Sequence, residues 1–450
     1  MAIEDLAEKD VDFMELTRTQ KRQRLLMMMS GAFAIFFTGF PHVWSIYQPY
    51  AMEQAGWSQG QASMCFYLAL SAFVFGNIIG GRIQDQYDPR IAAFIGGGVF
   101  TAGILLSAFL IIPSPVPIYL TYGVMQGFGQ GMIYTTIIST AQKWFPGRTG
   151  FASGVVITAN GLCGFFLAPV SRTLLEAGGP KLAFLVIGSA VAVSWILYSI
   201  FLSLPDPLWR KKEEERLAAG QGNHTELNQK QYTASEMMRT RSFYLLLATM
   251  LFGLLSYFML SPVSQTYQIE MGIPVSAAVS AVMFGSVMNA GTRLLLPTLA
   301  DKAGRSICIK GVLAVSVAAM LVLSTAHSYA VTAAIIVMYG CYGGIMGSFP
   351  SFTSSVFGLE HAGENYGFVM FGIVIATFGA PAVTGFITGN GYGMQAVFAV
   401  GVISALTALI CMMLLGRELK RIDGSQDLAA KKEVQRDGTG NDEKTVRAGR

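Results

Sequence analysis

Apolar residues in this chain occur in long blocks, without the alternation that marks half-buried strands. Twelve blocks have the roughly 20 residues that a helix needs to cross the hydrocarbon core of a membrane. We number them spans 1 to 12, and they lie near residues 25–48, 61–81, 91–112, 117–141, 150–172, 181–204, 242–265, 276–298, 307–326, 330–355, 366–388 and 394–416. The pattern predicts an all-α membrane protein with twelve transmembrane helices.

Polar segments divide these spans into two groups of six. We therefore expect six-helix bundles at 25–204 and 242–416, joined by a cytoplasmic linker at 205–241 that has room for one short amphipathic helix. Residues 1–24 are predicted to form a cytoplasmic tail. Residues 417–450 are charged and poor in aromatic residues, which predicts a disordered cytoplasmic tail.

The two halves of the chain resemble each other. "GGRIQDQYDPR" (80–90) follows span 2 and "LLPTLADKAGR" (295–305) follows span 8, while "TYGVMQGFGQG" (121–131) has a counterpart in "MYGCYGGIMG" (338–347). A tandem duplication of a six-helix unit predicts two pseudo-symmetric bundles. In transporters built this way the substrate site lies at the midplane between the bundles.

The distribution of charge gives the orientation. Only 13% of the residues are charged, against about 25% in a soluble domain. With the N-terminus inside, all but three of the 31 basic residues fall in cytoplasmic segments, the exceptions being Arg172, Lys181 and Arg293. We expect a multi-pass protein of the cell membrane, plasma or inner, with both termini cytoplasmic. The net charge of +4 then reflects topology and gives no indication of nucleic-acid binding.

No chemistry beyond binding is apparent in the motifs. The five cysteines are scattered without metal-ligand spacing, so we interpret them as packing residues and expect no metal or cofactor. No nucleophile–base pair lies in or beside the spans, which argues against an enzyme. Glycines spaced four apart predict close helix approach in spans 4 and 10, at Gly127 and Gly131, Gly340 and Gly344, and Gly343 and Gly347.

Arg293 is the most informative residue, because it lies inside the apolar run of span 8. A charge inside a span costs several kcal/mol and normally faces the bundle interior. No acidic residue occurs at mid-span anywhere in the sequence. Because a guanidinium forms a planar fork that matches a carboxylate, we expect a small organic anion to bind Arg293, although pairing within the protein is the alternative.

Other polar residues could complete such a site. Asn289 lies one helical turn before Arg293, where it could orient the guanidinium, bind the substrate or make an ordinary interhelical hydrogen bond. His42 near the end of span 1 is either a structural residue or a proton or substrate site. Candidate lining residues among the glycines are Gln130, Tyr134 and Tyr342.

Charged clusters follow spans 2 and 8 at equivalent positions. Asp85 and Arg90 lie in the first, and Asp301, Lys302 and Arg305 in the second. A carboxylate at a helix end beside basic residues can hold neighbouring helices together on one membrane face. We expect these clusters to act as a gate, the alternative being static turns whose basic residues only set topology.

Several of these motifs resemble the major facilitator superfamily and, within it, the oxalate/formate antiporter-like family, which is related to monocarboxylate transporters. The matching pieces run from about residue 39 to 381: "WSIY", "GRIQDQYDPR", "GFGQGMIYTT", "KWFPGRTGFASG", "NAGTRLLLPTLADKAGR" and "ENYGFVMFGI". The resemblance implies two bundles working by alternating access, a monomer as the functional unit, and a small carboxylate held by Arg293. It also places Tyr134 and Tyr342 around the substrate.

The sequence departs from the family at four positions. Oxalate exchangers carry a lysine in span 11 where this chain has Ile373, so a dianion would lack a second cation. His42 and Asn160 stand where relatives have tyrosines, and Asn160 is then a candidate pocket residue. Animal monocarboxylate carriers have an aspartate four residues before the arginine, where this chain has Asn289, which weakens proton coupling through that pair.

The sequence thus predicts a secondary transporter of a small monocarboxylate of the formate, lactate or pyruvate type, by anion exchange or with protons. One alternative is an oxalate/formate antiporter that accepts dicarboxylates. An alternative of another class is a membrane sensor that binds a carboxylate without transporting it. The expected partners are the anion and membrane lipid, with no nucleic acid.

Overall fold

The computed structural model describes residues 16–221, 231–326 and 328–447, and the regular structure in these ranges is helical. The first half contains the helices Arg18–Phe37, Trp44–Ala55, Gln59–Gln86, Pro89–Ser107, Val116–Ile118, Gly127–Lys143 and Thr149–Phe201. The second half contains Arg241–Leu260, Ser264–Glu270, Val275–Ala303, Arg305–Thr325, Tyr329–Phe357, Ala362–Val369, Phe371–Gly389 and Met394–Arg447. The linker contributes Pro207–Gln221 and Ala234–Met237.

Each of the twelve predicted spans coincides with helix. Within the described residues nine helices are long and apolar enough to cross a membrane, and one of them, Thr149–Phe201, has 53 residues and covers both span 5 and span 6. Gly178 and Gly179 have non-helical backbone angles and separate these two spans. Spans 1 and 4 are not among the nine; the turn Phe40–Val43 lies within span 1 and the π-helix Tyr119–Gln126 within span 4.

Spans 1 and 7 are interrupted at equivalent depths of the two bundles. Pro41 is the second residue of the 3₁₀ turn Phe40–Val43 of span 1, and Pro262 is the second residue of the 3₁₀ turn Ser261–Val263 of span 7. Proline lacks the N–H that would continue the helical ladder, which frees a carbonyl in the preceding turn. The matched breaks agree with a duplicated unit, and the break in span 1 contributes to the candidate site.

Glycines let the helices of each bundle approach closely, as their spacing predicted. A Cβ atom at Gly131 in span 4 would collide with the carbonyl oxygen of Phe73 in span 2. A Cβ at Gly347 in span 10 would lie 2.6 Å from the carbonyl oxygen of Arg293 in span 8. These contacts fix the depth of span 8 within its bundle.

One face of the helical assembly carries the linker, and we name it the linker face. Trp209 of the linker helix lies 6.3 Å from Trp144 at the end of span 4, centroid to centroid. Arg24 lies over the ring of Phe145 at 4.7 Å. The opposite face is named the distal face.

Two helices extend beyond the predicted spans into the predicted tail segments. The helix of span 1 begins at Arg18, within the segment 1–24 that was expected to be a separate tail. The last helix, Met394–Arg447, runs through most of the segment 417–450, for which composition predicted disorder. Low hydrophobicity argues against packing but not against helix, and this segment contains alanine, lysine and glutamate, which favour helix.

Candidate functional site

Arg293 is buried at the interface between the two bundles, with 2% of its surface exposed. Its Nε donates a hydrogen bond to Oδ1 of Asn289, one turn earlier in span 8, at 2.9 Å. Its Nη1 donates to Oδ1 of Asn160 in span 5 at 2.5 Å. The guanidinium carbon lies 5.6 Å from the ring centroid of Tyr342 in span 10. The structure therefore brings four of the predicted site residues together.

Close helix contacts position this arginine. Span 10 supports the span 8 backbone from one side, because Gly343 and Gly347 allow contact with the carbonyl oxygens of Asn289 and Arg293. Span 5 approaches from the other bundle, where a Cβ at Gly161 would lie 3.1 Å from Cδ of Arg293. Span 8 is thus held between spans 5 and 10, and its guanidinium projects toward span 5.

The partners of Arg293 are uncharged, namely the amides of Asn289 and Asn160 and the hydroxyl of Tyr342. Ion pairs among the described residues include Lys143–Asp85, Arg172–Glu176, Arg216–Glu213 and Arg305–Asp301, and none of these four includes Arg293. Amide oxygens satisfy the N–H groups without cancelling the charge. A buried uncompensated cation is electrostatically complementary to a small anion.

A chain of side chains connects Asn160 with spans 1 and 4. Nδ2 of Asn160 donates to Oγ1 of Thr38 at 3.0 Å, and Thr38 lies at the helix break of span 1. The carbonyl oxygen of Thr38 accepts from Nε2 of Gln130 at 2.5 Å, and Gln126 donates to Oε1 of Gln130 at 2.8 Å. Gln130, expected to line the site, therefore reaches Arg293 through Thr38 and Asn160. The His42 side chain lies outside the described part of the chain.

Tyrosines surround the rest of the arginine. Tyr342 stacks on Tyr257 of span 7 with centroids 4.1 Å apart and an angle of 9°. Tyr134 and Tyr366 are buried, and their hydroxyls face each other beside the guanidinium. The tyrosine hydroxyls are thus polar groups in the otherwise apolar surroundings of the guanidinium.

Sequence reasoning did not single out three of these residues. Thr38 and Tyr257 have no distinctive spacing and lie in ordinary apolar runs. Tyr366 lies in "ENYGF", a piece quoted only for its resemblance, and could have been noted as the polar-tipped residue of that motif.

On the linker face, two carboxylates connect the bundles. Oδ2 of Asp85, at the end of span 2, accepts from the backbone N–H of Glu364 at the start of span 11, at 3.2 Å. Asp301, at the end of span 8, accepts from the backbone N–H groups of Gly150 and Phe151 at the start of span 5, at 3.1 and 2.8 Å. Each acid thereby caps the N-terminus of a helix in the opposite bundle, where free N–H groups and the helix dipole favour negative charge.

Each capping acid also has a basic neighbour. Lys143 at the end of span 4 lies 3.3 Å from Asp85. Nη2 of Arg305 lies 3.1 Å from Asp301 and also donates to Oγ1 of Thr149 across the interface at 2.9 Å. Lys143 was not predicted, since it follows span 4 in a segment that sequence reasoning had not connected with the cluster.

Two predicted gating residues are placed elsewhere. Arg90 does not join Asp85. Its guanidinium donates to the carbonyl oxygen of Leu202 at the end of span 6, at 3.3 Å from Nε and 3.2 Å from Nη2. Asp88 caps span 3, so Arg90 begins a new helix and faces its own bundle. Lys302 is exposed on the linker face.

The fold and this site define a membrane carrier, since two matched bundles enclose a buried charge and meet on one face through equivalent contacts. Residues 25–378 match the Major Facilitator Superfamily, and the chain belongs to that family. The chain is therefore a multi-pass secondary transporter and not an enzyme, as its sequence predicted.

Comparisons with individual proteins agree. The chain is 25% identical over 400 residues to the "Oxalate:formate antiporter" of Oxalobacter formigenes, covering 86% of this chain and 90% of the relative. It is 31% identical over 114 residues to "Monocarboxylate transporter 12" of Xenopus laevis, covering 25% and 24% of the two chains. The solved structure of the proton:xylose symporter XylE matches with a TM-score of 0.66 at 14% identity, covering 87% of this chain and 96% of XylE. The likeness to oxalate/formate antiporters and monocarboxylate transporters is thus confirmed, and the two-bundle fold with it.

Proposed function

We propose that this protein transports a small organic monocarboxylate across the cell membrane by alternating access, with Arg293 holding the carboxylate. The observation that carries this proposal is a buried guanidinium between the bundles whose partners among the described residues are uncharged. A carboxylate supplies the missing charge and matches the planar fork. The names of two relatives, an oxalate:formate antiporter and a monocarboxylate transporter, support a substrate of this class.

A monoanion fits the surroundings of Arg293 better than a dianion. A second carboxylate would need a second cation, and position 373, where oxalate exchangers of the resembled family carry a lysine, is a buried isoleucine with 4% exposure. The neutral hydroxyls of Tyr134 and Tyr366 can bind a keto or hydroxyl oxygen without charge. Formate, lactate and pyruvate are the substrates of choice, and oxalate is disfavoured.

We infer that the linker face is cytoplasmic and that the monomer is the functional unit. Basic residues predicted to be inside lie on that face, Arg24 and Lys143 beside the linker contacts among them. The duplicated bundles provide both halves of the site within one chain, so a partner chain is not needed to complete it.

Alternating access requires the bundles to separate on the linker face, and we propose that the Asp85 and Asp301 contacts hold this face closed. The hydrogen bonds joining the halves, within the described residues, lie between the linker face and Arg293, for example Ser354 to Gln142 at 2.7 Å. Opening this face would break both helix caps, while closing would re-form them. Asp85, Lys143, Asp301 and Arg305 are the residues of this gate.

Removing one capping charge should shift the carrier toward opening on the linker face. We expect Asp301→Asn to raise the rate at which a thiol reagent modifies Ser354→Cys by roughly tenfold, because a charged cap contributes about 1–2 kcal/mol. The matched control is Asp88→Asn, which removes a helix-capping carboxylate on the same face that stays within its own bundle. Equal labelling rates in all three proteins would refute the gate.

The transport proposal is tested by purified protein in liposomes. Uptake of labelled formate, lactate, pyruvate and oxalate is measured with and without internal anion and with and without a pH gradient. We expect a monocarboxylate to be taken up at least tenfold faster than oxalate. Dependence on internal anion would indicate exchange, and dependence on the gradient would indicate proton coupling.

Two outcomes would contradict this proposal. Preferred uptake of oxalate despite Ile373 would favour the dicarboxylate antiporter. Saturable binding of a carboxylate with no uptake under any gradient would favour the sensor.

A further inference from the structure

The amide of Asn160 has a fixed orientation between the two bundles. Its Oδ1 faces Nη1 of Arg293 at 2.5 Å, and its Nδ2 faces Oγ1 of Thr38 at 3.0 Å. The Thr38 hydroxyl donates its own proton to the carbonyl oxygen of Ile35 at 2.6 Å, so it can only accept from Asn160. A flipped amide would place its N–H donors against the N–H donors of the guanidinium. It would also place its oxygen against the Thr38 hydroxyl, whose proton is already donated elsewhere, so neither contact could be a hydrogen bond.

Oδ1 of Asn160 occupies an Nη group of Arg293 that a bound carboxylate would need. Asn289 of the same helix already occupies Nε, so the Nη groups remain for a ligand. A carboxylate that binds both Nη groups must displace Asn160 from Nη1. A carboxylate oxygen forms a stronger bond to a guanidinium than an amide oxygen does, so displacement is favourable.

We propose that Asn160 is the built-in competitor of the substrate for Arg293, and that it allows the carrier to change access without a bound anion. This inference rests on the proposed function. When no carboxylate is bound, the Asn160 amide provides the guanidinium with a hydrogen-bond acceptor from the opposite bundle. A guanidinium that crossed between states with no acceptor would pay a large desolvation cost, and only anion-loaded carriers would then cross.

The surrounding helices support this role. Gly161, the next residue in span 5, leaves room for the guanidinium stem beside it. Gln130 fixes the carbonyl of Thr38 from span 4, so the acceptor is tied to the rigid part of the first bundle. Asn160 itself is buried, with 8% exposure. The bond therefore couples whole bundles and not two mobile side chains.

The inference is tested by comparing net efflux with exchange in liposomes loaded with the labelled monocarboxylate. Net efflux is measured into anion-free buffer, and exchange into buffer that contains the unlabelled anion. Wild type should show net efflux that is a measurable fraction of exchange. Asn160→Ala should lower net efflux about tenfold or more, the scale of one hydrogen bond to a charged group, and should lower the half-saturating concentration for exchange, because the substrate no longer has to displace the amide. Asn390→Ala, at an exposed amide near the distal end of span 11, is the matched control and should leave both rates unchanged.

Asn160→Asp provides a second variant of the same size. Its carboxylate would pair with Arg293 and compete with the substrate as an anion, so we expect the half-saturating concentration for exchange to rise at least tenfold. Protonation of the new carboxyl should relieve this competition, so the rise should shrink as the pH falls.

The outcomes separate the two proposals. If wild type exchanges the anion but shows no net efflux, or if Asn160→Ala keeps the wild-type ratio of net efflux to exchange, the role of Asn160 is refuted and the transport proposal stands. An unchanged half-saturating concentration in Asn160→Asp would refute it equally. If wild type exchanges no carboxylate, the proposed function itself fails.

Discussion

Replacing Arg293 with alanine should reduce monocarboxylate uptake at least 100-fold. The variant removes the charge that holds the substrate, together with two charge-assisted hydrogen bonds to the carboxylate, each of which contributes about 1.5–3 kcal/mol. The loss should appear in exchange as well as in net uptake, because both require the bound anion. The measurement is initial uptake in liposomes at equal amounts of inserted protein.

Arg293→Lys tests geometry separately from charge. Lysine keeps the positive charge but concentrates it on a single ammonium group. It lacks the planar fork of the guanidinium and the Nε that donates to Asn289. We expect uptake to fall at least tenfold and to remain above that of Arg293→Ala. Arg172→Ala is the matched control, because Arg172 is exposed and pairs with exposed Glu176 in the adjacent turn, so uptake should be unchanged. Full activity of Arg293→Ala would show that the site is misassigned, although the fold would stand.

Gly131→Val should prevent stable folding of the first bundle. A Cβ at this position collides with the carbonyl oxygen of Phe73 and lies 2.8 Å from the backbone nitrogen of Asn77. These atoms are backbone and cannot rotate away, so span 4 would have to separate from span 2 at a cost of about 3 kcal/mol or more. The expected result is a large loss of monodisperse protein and a lower midpoint of thermal unfolding in detergent.

Gly98→Ala is the matched control for this variant. A Cβ at Gly98 in span 3 meets no atom within 4 Å, and alanine favours helix over glycine. Its unfolding midpoint should equal or exceed that of wild type. A Gly131→Val protein as stable as Gly98→Ala would show that spans 2 and 4 do not pack as described.

The sequence by itself determined the fold class, the number and approximate position of the spans, and the chemical identity of the central residue. These properties follow from local information. A block of apolar residues can be recognised as a span from its own sequence, because its apolar side chains contact the lipid of the membrane and need no particular partner elsewhere in the chain. Arg293 was visible for the same reason, since a guanidinium inside such a block requires a specific explanation.

Only the tertiary structure determined which side chains contact one another. Asn160 and Arg293 are separated by 133 positions, and their contact depends on how span 5 meets span 8, which no spacing in the sequence records. Lys143, and not Arg90, neighbours Asp85 for the same reason, since the ends of spans 2 and 4 converge while Arg90 begins the next helix. The lipid environment determines which segments span the membrane, so these segments can be predicted from local sequence. Side-chain partners are determined by packing between helices that are distant in sequence, so they cannot.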